Sequence, residues 1–134
     1  YVDGLDVSRE AVCNFYKSID IQIAFRLPRA IASMPPELKN PLKLINAGSF
    51  RIPTVSYPEL NYVHEMPDCF KPATSIAELI DSCEWLKEDQ AGYDFFASKA
   101  FAAAQKYHIN KILEKYRELQ GACYENTDKN VKVV

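Results

Sequence analysis

The stretch 93-YDFFASKAFAAAQKYHINKILEKYRELQ-120 decides how the chain folds. Tyr93, Phe96, Ala97, Ala100, Phe101, Ala104 and Tyr107 recur at steps of three and four, which sets them on one side of a helix. Alanine has the best intrinsic helix propensity, so pattern and propensity agree. At about 100° per residue, the next apolar set (Ile109, Ile112, Leu113, Tyr116 and Leu119) is rotated well away from the first. The rotation predicts a helix broken or bent near His108, with Asn110 placed to cap the second half. Gly121, after Lys115 and Arg117, is the expected stop. The expectation is a buried helix that the other segments wrap.

Working outward, Ser75-Ile76-Ala77-Glu78 matches a capping box, and Ile76, Leu79, Ile80, Cys83 and Leu86 follow it as an apolar stripe. Trp85, the single tryptophan, falls nearly opposite that stripe. Either a second layer covers it or it anchors a partner. Asp89 to Gly92 separates this helix from the next. Further back, Ser8 can cap a helix whose apolar side carries Val12, Phe15, Tyr16, Ile19, Ile23 and Leu27. Within it, Ile19, Ile21, Ile23, Phe25 and Leu27 alternate with Asp20, Gln22, Ala24 and Arg26, which is a strand signal. A strand needs partners, and only 50–57 and 130–134 offer any, so the helix is the reading adopted. Pro28 to Met34 predicts another helix. Pro36 to Ala47 predicts one with Leu38, Leu42 and Ile45 inward, ended by Gly48. Residues 49–57 read as extended, 60–64 as a turn of helix and 67–72 as a loop.

These elements predict an all-α, single-domain bundle of about five helices spanning 1–134. The alternative is an α+β fold with a small sheet from 19–27, 50–57 and 130–134. At 134 residues the chain can bury a real core. No apolar run approaches the ~18 residues of a membrane span. A chain starting at Tyr1 without a leader reads as a mature secreted protein or an excised domain. Secretion is the favoured compartment and the cytoplasm the alternative. Cys13, Cys69, Cys83 and Cys123 allow three disulfide pairings or remain buried thiols; without any Cys-x-x-Cys they do not suggest structural zinc.

The net charge of −2 conceals segregation. Residues 9–51 carry +4, residues 57–96 carry −7 and the remainder from Ala97 carries +3. Separated charge favours a protein or other anionic macromolecular surface as partner, unless the segments neutralise one another on folding. Nucleic acid is disfavoured by a pI near 5.7. Peripheral contact with anionic lipid is the remaining membrane mode. No cofactor is implied, because four scattered glycines build no phosphate-cradling loop. His64-Glu65-Met66-Pro67-Asp68-Cys69 gathers potential metal ligands, but Pro67 breaks helical spacing, so a surface loop is expected and no metal residues are assigned. His108 reads as a hydrogen-bonded boundary residue. No catalytic motif emerges. The expected function is a non-catalytic helical binding protein that uses Trp85, Phe25 and Ile21 as an apolar face, with Arg26 and Arg29 beside it. A metal-dependent enzyme built on 64–69 is an alternative.

Tyr1-Val2, Ile21-Gln22-Ile23-Ala24 with the arginines that follow, and Tyr93 opening a long helix toward Leu113 give the chain a partial resemblance to the gastropod sperm lysins. The resemblance implies a small secreted helical protein that acts without catalysis on egg coats or membranes. The chain departs from that family in being slightly acidic rather than strongly basic, and in its four cysteines.

Overall fold

A computed structural model of the protein describes residues 8–26 and 40–128. The chain divides into two compact units, Tyr1–Ala104 and Gln105–Val134. It is predominantly helical and carries a small parallel sheet, so the helical expectation holds together with the sheet of its alternative.

In the first unit helices and strands alternate: α1 (Arg9–Lys17), β1 (Gln22–Ala24), α2 (Leu42–Ser49), β2 (Thr54–Ser56), α3 (Leu60–Glu65), β3 (Lys71–Pro72), α4 (Ile76–Glu88) and α5 (Gln90–Ala104). The strands lie in the order β1-β2-β3 and all run parallel. Ile23 pairs with Val55 and Ala24 with Ser56. The helix expected through 19–27 is therefore corrected. Helix α1 stops at Lys17, and the Ser18 amide and hydroxyl both donate to the Phe15 carbonyl. Beyond it the alternation of 19–27 expresses itself as β1, because β2 is available to pair. The third strand is Lys71–Pro72, where the sequence predicts a loop; 130–134, its expected counterpart, lies outside the described residues. The helix expected over 28–34 lies there too.

Parallel strands require cover on both faces. One face carries Ala24 with Leu44 of α2, Tyr62 of α3, Met66, Cys69, Phe70 and Ala100 of α5. The other carries Val55, Ala73 and Leu86 of α4, with Ile21, Phe25, Leu79, Cys83 and Phe96 packed against them. A third cluster joins Tyr16 of α1 to Ala47 and Ile52, with Tyr16 and Phe50 stacked at 5.2 Å.

Helix α2 runs from Leu42 to Ser49, and the expected start over 36–39, with Leu38, lies outside the described residues; Leu44, Ala47 and Gly48 are buried, Ile45 packs against the core as expected, and Leu42 is exposed. Gly48 lies inside the helix instead of ending it. The end is a Schellman motif, in which Ile52 N–H reaches the Ala47 carbonyl and Arg51 N–H the Gly48 carbonyl. Arg51 occupies the left-handed position at φ 59°, where glycine is usual, and its guanidinium lies 4.2 Å from the Phe101 ring centre.

The capping box is present with a shifted partner. Ser75 accepts from the Glu78 amide at 3.2 Å, but the Glu78 carboxylate reaches back to the amide and hydroxyl of Thr74 at 2.7 and 2.8 Å. Those bonds hold the Glu78 carboxyl below the usual carboxylate range. Of the stripe behind it, Leu86 is buried, Leu79 and Cys83 are half-buried, and Ile76 and Ile80 are exposed. Asp89 caps α5 by accepting from Ala91 and Gly92.

In the second unit a turn of 3₁₀ helix at Gln105–Tyr107 precedes α6 (Ile109–Asp128). The break falls at His108 as expected. The cap is His108 itself, whose Nδ1 accepts from the Asn110 amide at 3.3 Å. Gly121 does not end this helix, which continues to Asp128. Ile109, Leu113, Tyr116 and Leu119 are exposed, so only the first half of the 93–120 stretch serves as core.

Candidate functional site

Open parallel sheets bind ligands outside the carboxyl ends of their strands. Here those ends carry Phe25 and Arg26 after β1, Tyr57 to Glu59 after β2, and Ala73 to Ser75 after β3. Pro58 stops β2, and the turn that follows, in which the Glu59 amide donates to the Tyr57 carbonyl, carries Glu59 to the first position ahead of α3. The carboxylate is thereby pulled inward, with its side chain only 2% exposed.

Its surroundings are unusual for a buried charge. Neither carboxylate oxygen has a hydrogen-bond donor among the described residues. Among the described residues the cation paired with it is Arg26, whose Nε lies 3.7 Å from Oε1 and whose side chain is 35% exposed. A buried carboxylate left without donors costs free energy, so groups of this kind are normally hydrogen-bonded or serve a ligand. Tyr62 completes the cluster. Burial raises its phenol above the ordinary value; the negative Glu59 raises it further, and Arg26 partly offsets this. The Ser56 hydroxyl, donating to the Ala24 carbonyl at 2.9 Å, fixes the ends of β1 and β2 beside each other. Phe25 packs edge-on to Tyr57 with centroids 6.2 Å apart. Past the end of β2 a cavity of about 260 Å³ is lined by Pro58, Val63, Pro67, Asp68, Phe70 and Pro72.

The sequence-derived candidates separate. Ile21 and Phe25 pack against the cluster of Val55, Ala73 and Leu86. Trp85, 38% exposed, lies edge-on to Phe96 and closes over Gly92, where a Cβ would overlap its ring; the Lys71 ammonium sits 4.5 Å from its ring centre. Arg26 reaches Glu59, and Arg29 lies outside the described residues. Glu59 itself was missed. Its signal is positional: an acidic residue just past a short β-branched run bracketed by Pro53 and Pro58.

The loop expected over 64–69 is corrected at its start, where His64 and Glu65 form the end of α3; they and Asp68 are exposed, whereas Cys69 is buried with its thiol donating to the carbonyls of Pro67 and Lys99. Among the described residues no three His, Cys, Asp or Glu side chains converge. Of the two readings open for the cysteines, Cys13, Cys69 and Cys83 follow the second: they are free thiols, with Cys69 buried. Burial raises the Cys83 thiol. No helix described is long and apolar enough to cross a membrane. Comparison with family models, curated proteins and solved structures finds no match to this chain.

Proposed function

We propose that the protein is a binding module whose ligand seats at the carboxyl edge of the parallel sheet, against Glu59 and Arg26. The observation that carries this reading is the buried carboxylate with two oxygens free of donors among the described residues. A carboxylate in this state accepts from hydroxyl or amide donors. Arg26 already supplies the positive charge beside it, which disfavours a cationic ligand and leaves guanidinium donors directed at an anion. The matching chemistry is a small molecule with adjacent hydroxyls and an acidic group, of which a sugar phosphate is the simplest example.

The thermal melt of the wild type in ribose 5-phosphate, compared with ribose alone and inorganic phosphate alone, tests this. At about five times its dissociation constant a ligand adds about 1 kcal/mol, or roughly 3–5 °C. Glu59→Gln is expected to remove that shift while leaving the unliganded protein as stable as before or more so, because a buried group without donors among the described residues is replaced by a neutral one. A structural ion pair would behave oppositely, losing roughly 3 kcal/mol when one partner is removed. An absent shift in the wild type, or that loss, overturns the reading.

A further inference from the structure

Strand β1 is an edge: among the described residues it pairs with β2 on one side and with no strand on the other. Gln22 donates its amide to Pro53 on the β2 side, so in a parallel ladder the N–H and C=O of Ile23 point to the open side. Sheet edges are commonly blunted by lysine, proline or a bulge. Residues 22–24 contain no lysine or proline, and Ile23 at the strand's centre is 55% exposed.

We infer that β1 pairs with β1 of a second copy, antiparallel and centred on Ile23, to form a symmetric dimer with a continuous six-stranded sheet. The stretch 20-DIQIAFR-26 is complementary to its own reverse. In that register Ile23 faces Ile23 on the two-fold axis and exchanges both backbone hydrogen bonds with it. Ile21 faces Phe25 of the second copy, which makes an apolar row on the α4 side of the sheet. Gln22 faces Ala24 on the other side. Asp20 faces Arg26 at both ends, so two opposite-charge pairs close the ladder. A register slipped by one residue breaks this, because the side chains would meet from opposite faces of the sheet.

Two further features fit. An open trough of about 530 Å³ lined by Ile19, Asp20, Ile21, Cys83, Glu84 and Lys87 runs beside the start of β1, where Phe25 of the second copy arrives. The Arg26 guanidinium has five N–H donors and a single ion-pair partner among the described residues, so it can take Asp20 of the second copy while remaining beside Glu59. The dimer does not depend on the ligand reading, since its contacts are complete without one.

Light scattering of the wild type should give the mass of a dimer. Ile23→Lys, at an exposed position that the fold tolerates, should be monomeric at the same concentration with an unchanged circular dichroism spectrum. Asp20→Arg and Arg26→Asp should each be monomeric alone and form a mixed dimer when combined, because the two charge pairs are restored in the heterodimer. Ile23→Cys should be joined into a covalent dimer by a short bifunctional thiol crosslinker, with the wild type carrying its own cysteines as control, since the two side chains face each other ~5.5 Å apart across the pair. A monomeric wild type, or a dimer indifferent to Ile23→Lys, overturns the inference.

Discussion

Gly48→Ala should destabilise the first unit by roughly 2–3 kcal/mol and lower its melting temperature by roughly 10 °C. Two effects of opposite sign meet at this residue. Alanine in place of an interior helical glycine ordinarily stabilises by about 1 kcal/mol. At Gly48, however, a Cβ would come 2.5 Å from the Ala100 carbonyl oxygen and 2.9 Å from its carbon. The obstacle is backbone inside α5, whose carbonyls are held along the helix axis and cannot swing aside as a side chain would. Helix α2 must therefore retreat, and the packing of Leu44, Ala47 and Ala100 opens with it. Gly121→Ala is the control: nothing lies within 4 Å of a Cβ there, so only the propensity gain remains. Thermal or urea unfolding of both variants checks the pair, and equal stabilisation would contradict the close approach of α2 to α5.

Leu86→Ala should cost about 3 kcal/mol, and Ile80→Ala less than about 0.5 kcal/mol. Both residues belong to one apolar stripe in the sequence, yet Leu86 is 1% exposed against Val55 and Ala73, while Ile80 is 52% exposed. Deleting Leu86 leaves a cavity under the sheet that rigid strands and α5 cannot collapse to fill. Deleting Ile80 removes surface already in water. Denaturant midpoints for the two variants separate the cases; similar losses would mean that α4 buries a different face.

The same contrast explains what the sequence conceals. Local rules are legible in it: the serine that caps α4, the break at His108, and the alanines of α5 that face inward. These depend on neighbours three or four positions away. What depends on distant segments was read less well. The 19–27 stretch carries both a helical stripe and an alternation, and the choice between them belongs to β2, whose Val55 pairs with Ile23 from 32 residues on. Helix α2 turns Leu44 inward rather than Leu42 because Gly48 and Ala100 set its closest approach. Strand β3 is two residues long, too short for any periodicity to register. Glu59 was invisible for the same reason: its significance comes from the sheet edge it stands on, and that edge exists only once three short strands have been brought together in parallel. The apolar candidates Ile21, Phe25 and Trp85 showed the reverse effect. Their positions off the expected helical stripe reflect a strand and a second layer, with Ile21 and Phe25 facing α4 and Trp85 resting on Gly92.

The ligand site proposed at Glu59 is tested most directly by amide chemical shifts recorded while ribose 5-phosphate is added. The predicted result is saturable movement concentrated at Arg26, Tyr57, Glu59 and Tyr62, together with the Arg26 Nε signal, and lost in Glu59→Gln. Movement elsewhere with these signals still, or the same movement in Glu59→Gln, would contradict it.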